Sequence, residues 1–156
     1  MRYLIGIGNY YGRDDAIGLR IAELIGETGL DRDFRAIDLG GNLLDVVHYL
    51  DAQTEQVLIV DSARMGLAPG DYAFFTLDQV ASVKGSASLS THEGDLVKVL
   101  EFAEATNGPL PPITILGIEP AELADEPGLS DTLEARLDQY VAAAVEFLAQ
   151  VGPARR

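Results

Sequence analysis

Three places along the chain put side chains capable of chemistry beside the ends of apolar runs. Asp14 and Asp15 follow the turn Gly6-Ile7-Gly8-Asn9, Asp61 ends the run Val57-Leu58-Ile59-Val60, and His92 stands within Ser90-Thr91-His92-Glu93. Two carboxylates and one neutral imidazole form an oxygen–nitrogen donor set suited to a divalent metal such as zinc or nickel. Each residue also has a plainer role. Asp14 and Asp15 open a helix, where any acidic residue caps the chain and meets a favourable dipole. Asp61 ends an otherwise apolar strand, so its carboxylate is paired, solvated in a cleft or bound to something, because leaving it buried and bare is costly. Ser90 and Glu93 make a Ser-x-x-Glu capping box, which makes Ser90 a cap rather than a nucleophile and puts His92 in the first turn of a helix. The positive end of that helix disfavours imidazolium and leaves the ring ready to accept a proton or a metal. His48, the other histidine, falls off the apolar face of its segment and reads as a solvated surface residue.

Several other chemistries are excluded. The chain has no cysteine, which removes thiolate nucleophiles, disulfides, iron–sulfur clusters and cysteine zinc sites. No Gly-x-x-x-x-Gly-Lys-Ser/Thr loop occurs, so a P-loop nucleotide enzyme is out. The Gly6-x-Gly8 turn lacks the third glycine of a dinucleotide fingerprint, since position 11 is Tyr11; it reads equally as a strand end that needs a close backbone approach. Eleven basic against 25 acidic residues give a net charge of −14. Such a surface repels nucleic-acid phosphates and anionic lipids, so neither is an expected partner. No apolar run approaches the roughly 18 residues of a membrane span, and no signal-peptide pattern appears. A soluble cytoplasmic protein is expected.

The elements that must position these residues are legible in the hydrophobic pattern. Tyr3–Ile7, Phe34–Leu39, Val57–Val60, Tyr72–Leu77 and Ile113–Leu116 read as strands. Ile17, Ile21, Leu24 and Ile25 recur at helical spacing, with Gly29 at the stop. Leu43, Val46, Val47 and Leu50 mark a short helix, Leu96 to Ala103 another, and Leu133 to Leu148 the closing one. The connection Ser62–Asp71 holds two glycines and a proline and is too short for a helical crossover, so the fourth strand should run antiparallel to the third. The alternation predicts a single three-layer α/β/α domain over residues 1–151 with a five-stranded, mostly parallel sheet, and a frayed tail at 152–156. In such folds, sites lie beyond the carboxyl ends of the strands, where all three candidates fall.

The ordered motifs Ile5-Gly6-Ile7-Gly8-Asn9, Asp14-Asp15-Ala16-Ile17-Gly18-Leu19-Arg20, Leu58-Ile59-Val60-Asp61, Pro69-Gly70, Ser90-Thr91-His92 with Leu96, Gly117-Ile118-Glu119-Pro120 and Gly128-Leu129-Ser130 span nearly the whole chain. Together they resemble the nickel–iron hydrogenase maturation proteases, endopeptidases that trim the C-terminal extension of a hydrogenase large-subunit precursor. The resemblance implies a five-stranded mixed sheet with one antiparallel strand. It also implies that Asp15, Asp61 and His92 contact the metal and serve the catalysis. The first of these positions is Glu in some members and Asp in others, and Ala16 stands where many members have Gly. Nickel is implied to arrive with the precursor rather than to reside in the protease, and other divalent metals can occupy the site in vitro. Whether that metal only positions the bond or also polarises it stays open, with Asp15 or Asp61 as the alternative general base. A triad from Ser62 or Ser90 with His92 has no support in the spacing. Two rivals fit poorly: a peptidyl-tRNA hydrolase would need a histidine after the first strand, and a phospho-receiver module would need a lysine where Gly117-Ile118-Glu119 stands.

Overall fold

The computed structural model describes residues 1–40, 42–76 and 93–150. Five strands, β1 (Arg2–Gly6), β2 (Arg35–Asp38), β3 (Gln56–Ser62), β4 (Tyr72–Thr76) and β5 (Ile113–Ile118), form one sheet in the order β2-β1-β3-β5-β4. All neighbours are parallel except β4, which pairs antiparallel with β5. The fourth strand thus runs opposite to the third, as the short connection requires, yet lies one strand further out because β5 inserts between them. Among the described residues, three α-helices, α1 (Ile17–Thr28), α2 (Glu93–Asn107) and α3 (Asp131–Gln150), cover the faces.

Strand alternation sorts the core into two layers. Leu4, Leu58, Val60, Leu116 and Ile118 face α1 and α3, whose Ile17, Ile21, Ile25, Leu133, Leu137 and Tyr140 complete one cluster. Ile5, Val57, Ile59, Ile113 and Ile115 face α2, against Leu96, Leu100 and Ala103. Every residue of β3 is buried, which is why that strand reads as an unbroken apolar run up to Asp61. Each buried Val, Leu or Ile contributes about 1.5–3 kcal/mol, so β3 is the best-held element of the sheet.

Two local expectations are corrected. The segment predicted as a short helix from Leu43 winds as a 3-10 helix over Leu43–Tyr49. Three residues per turn line up Leu43, Val46 and Tyr49 on the inward edge, a spacing that satisfies the same apolar residues as an α-turn would. The third strand continues past Val60 through Asp61 and Ser62, so the carboxylate lies within the strand rather than after it. His48 is a surface residue, its side chain 78% exposed. Ser90, Thr91 and His92, the end of the fourth predicted strand at Leu77, and the tail 152–156 lie outside the described residues.

Candidate functional site

β1 feeds β2 on one side of itself, whereas β3 returns to its other side, so the chain reverses direction across the sheet between β1 and β3. The crevice beyond the carboxyl ends of these two strands is the topological switch point, the usual ligand position in an open α/β sheet. Both described candidate residues reach it. Asp61 arrives on β3. Asp15 arrives on a 3-10 turn, Arg13–Ala16, that runs into α1.

The turn gives the two adjacent aspartates opposite environments, since consecutive side chains in a 3-10 helix diverge by about 120°. Asp14 points to the loop after β5. Its Oδ2 accepts the backbone N–H groups of Ala121 and Glu122, both at 2.8 Å, and the Ser130 hydroxyl at 2.8 Å, while Oδ1 accepts the Ser130 N–H at 2.7 Å. Main-chain bonds from Asp14 N to Glu122 O at 3.0 Å and from Arg13 N to Glu126 O at 2.9 Å complete the clasp. Arg13 adopts a φ of 55°, in the left-handed region, and its guanidinium binds Glu122 at 2.9 Å. That hydrogen bond, helped by the nearby acidic charges, raises the Arg13 pKa further. Neither aspartate occupies an N-cap position: the caps of the 3-10 turn and of α1 are Gly12 and Ala16.

Asp15 points the other way, to the end of β3. Its Oδ1 accepts the Ser62 hydroxyl at 2.8 Å, and the Oδ1 of Asp61 accepts the Ser62 N–H at 2.8 Å. One buried residue therefore ties both carboxylates. Alternation along β3 explains how: Ser62 shares the α1 face with Val60, whereas Asp61 shares the α2 face with Ile59. The site straddles the edge of the sheet, with one carboxylate from each side.

The glycines of the first motif make this approach possible. Gly8 has a φ of 143°, and a Cβ there would lie 2.1 Å from the Asp15 carbonyl oxygen and 3.6 Å from Asp61 Oδ1. Gly18 lets α1 press on the strand ends, since a Cβ would meet the carbonyl oxygens of Val60 at 2.1 Å and Ile7 at 2.6 Å. The close-approach reading of the Gly-x-Gly turn is therefore the structural one. Asp15 is further fixed by its main chain, its N–H bonding Gly12 O at 3.1 Å and its carbonyl accepting Asn9 N–H at 3.2 Å.

Oxygen donors cradled by a glycine suit a divalent cation. Among the described residues no cluster of three His, Asp or Glu side chains could hold a metal ion, and His92, the third residue of the expected set, lies outside them. The helix expected to carry His92 in its first turn is described from Glu93 onward. Ser62, considered from sequence only as a nucleophile, is wholly buried, which removes it from attack on a peptide, and its hydroxyl donates a hydrogen bond to Asp15.

Sequence reasoning missed two further residues. Ser130 answers Asp14 across 116 positions and also receives Leu133 N–H at 3.3 Å, tying the clasp to the start of α3. Glu119 is buried and accepts the N–H groups of Met65 at 2.7 Å and Leu67 at 3.2 Å, shaping the loop that leaves β3. The only sequence signal for either was its place in a motif.

Comparison with known proteins identifies the family and the fold. The family model for hydrogenase maturation protease (HycI) matches residues 19–147. The hydrogenase expression/formation protein HupM of Azotobacter chroococcum is 31% identical over 151 residues, covering 96% of this chain and 72% of its own. The hydrogenase 2 maturation protease of Escherichia coli K12 is 27% identical over 155 residues, covering 97% and 93%. The solved structure of the hydrogenase maturating endopeptidase HybD from E. coli superposes with a TM-score of 0.80 at 23% identity, covering 97% of this chain and 93% of that one, which establishes the shared fold.

Proposed function

The chain belongs to the hydrogenase maturation protease family, and on that premise we propose that it removes the C-terminal extension of a nickel–iron hydrogenase large-subunit precursor, recognising nickel already inserted there. The observation that carries this reading is the convergence of Asp15 and Asp61 on Ser62 at the switch point between β1 and β3. Hydrolysis of a peptide bond needs a water oriented toward the carbonyl, a base for its proton and a proton for the departing amine. In this proposal nickel is part of the substrate. Asp15, Asp61 and the neutral ring of His92 bind it, and so hold the scissile bond at the strand ends. One of the two carboxylates takes the proton of the attacking water and returns it to the amine. The same residues would accept other divalent ions when the precursor is absent, because their oxygen and nitrogen donors are not specific to nickel.

No helix among the described residues is long and apolar enough to cross a membrane, in keeping with action in the cytoplasm on a newly made precursor. In this reading the partner is a protein, and the net charge of −14 supports that choice over a nucleic acid.

The test is deletion of the gene in its host, with the large subunits followed on a denaturing gel. Complementation uses the wild type, Asp15→Asn, Asp61→Asn and His92→Ala. One large subunit should stay in its longer form, and only the wild type should restore full trimming. Normal maturation of every large subunit in a strain with no second protease would refute the assignment.

A further inference from the structure

We infer that Ser62 is a positioning residue for the cleavage reaction, acting through the carboxylate of Asp15; the inference rests on the site proposed above. Ser62 is fully buried at the end of β3, opposite Ile118 in the parallel register with β5. A hydroxyl in such a place must find a partner, and the cheapest one would be a nearby backbone carbonyl. Ser62 instead reaches 47 residues along the chain, out of the sheet, to Asp15 Oδ1 at 2.8 Å. A hydrogen bond to a carboxylate is stronger than one between neutral groups. It removes rotational freedom from the Asp15 side chain, whose backbone is already held by Gly12 and Asn9.

The same residue donates its N–H to Asp61 Oδ1 at 2.8 Å. Ser62 is thus the link that sets the two carboxylates relative to each other. The backbone half of that link survives substitution by alanine, whereas the hydroxyl half does not. Replacing Ser62 by alanine therefore loosens Asp15 selectively and leaves Asp61 in place. A site that must meet a substrate within a fraction of an ångström loses rate when one of its groups swings.

The experiment uses the full chain and purified nickel-loaded precursor, comparing wild type, Ser62→Ala, Asp15→Asn, Asp15→Ala and the double variant of Ser62→Ala with Asp15→Ala. Ser62→Ala should lower kcat by about ten- to hundredfold, the range that one hydrogen bond to a charged group supplies, with KM changed by less than about threefold. Nickel(II) alone, titrated by calorimetry, gives a second readout: Ser62→Ala should weaken its binding by about tenfold in the wild-type background and leave it unchanged beside Asp15→Ala, which offers the serine hydroxyl no side-chain oxygen to bind. A weakening of the same size in both backgrounds, or a wild-type kcat for Ser62→Ala while Asp15→Asn is impaired, overturns the positioning role alone. A wild-type rate for Asp15→Asn overturns the site assignment and this inference with it.

Discussion

Asp14 offers the sharpest test of how the site is held. It is fully buried, and its carboxylate receives four hydrogen bonds, three from the backbone N–H groups of Ala121, Glu122 and Ser130 and one from the Ser130 hydroxyl. Asp14→Ala removes every one of these acceptors. The hydroxyl can rotate to another partner, but the three amides are fixed by the loop that carries them. An unsatisfied buried donor costs about 1–3 kcal/mol; the Ser130 amide is buried, whereas water reaches the part-buried amides of Ala121 and Glu122, so a loss of about 2–4 kcal/mol is expected. This is a large share of the roughly 5–15 kcal/mol that stabilises a typical domain. Urea unfolding followed by circular dichroism measures it as a fall in midpoint at constant slope. The neighbouring Asp15→Ala removes the acceptor of the Ser62 hydroxyl, a donor that can rotate to another partner as fixed amides cannot, and should cost clearly less under the same conditions. A loss below about 1 kcal/mol for Asp14→Ala, or a larger loss for Asp15→Ala, would refute the division of labour between the two aspartates.

Two further predictions concern the scaffold. On α1, Gly18→Ala should destabilise by at least about 2 kcal/mol, because the new Cβ meets backbone oxygens that cannot step aside, whereas exposed Gly26→Ala, with nothing within 4 Å, should gain about 0.5–1 kcal/mol; chemical denaturation of both variants tests the pair. Tyr140 is buried and its hydroxyl donates to Gly70 O at 2.6 Å; burial raises its pKa, opposed in part by Arg136. The fold therefore favours the neutral phenol, so this contribution to stability is complete below the ordinary tyrosine pKa of about 10 and is lost as pH climbs from there through the raised folded value. Tyr140→Phe should cost about 1 kcal/mol at neutral pH and flatten the alkaline limb of a melting-temperature profile.

The sheet was legible because its evidence is local. Unbroken apolar runs mark strands covered on both faces, and the proline and two glycines between Ser62 and Asp71 forbid a crossover, which fixed the direction of β4. Its neighbour was not legible, since the choice between β3 and β5 is made by side chains distant in sequence. The carboxylates of the site were visible for the same local reason: Asp61 interrupts an apolar strand, and Asp15 follows a glycine turn. What separated Asp15 from Asp14 was invisible in residue type and spacing, and only the family resemblance chose between them. The two are chemically identical neighbours, and only the loop 119–130, more than a hundred residues away, decides that one is a clasp and the other faces the site. Ser62 was hidden in another way. Serine after an aspartate at a strand end suggests a nucleophile or nothing, and its bond to Asp15 depends on which face of β3 it occupies.

The two halves of the site are held unequally, and this gives the serine its importance. Asp61 rides on the central strand, buried on both faces and flanked by β1 and β5. Asp15 sits on one turn of 3-10 helix, a poorly bonded geometry on its own. That turn keeps its place because Asp14 and Arg13 anchor it to the loop after β5, and through Ser130 to α3. The carboxylate from the rigid strand needs little further support. The one from the turn needs a contact that refers it back to the strand, and the Ser62 hydroxyl supplies that contact. A site assembled in this way draws on β1, β3, the loop 119–130 and two helices at once. Its geometry is therefore a property of the whole domain, and no excised segment of the chain would carry it.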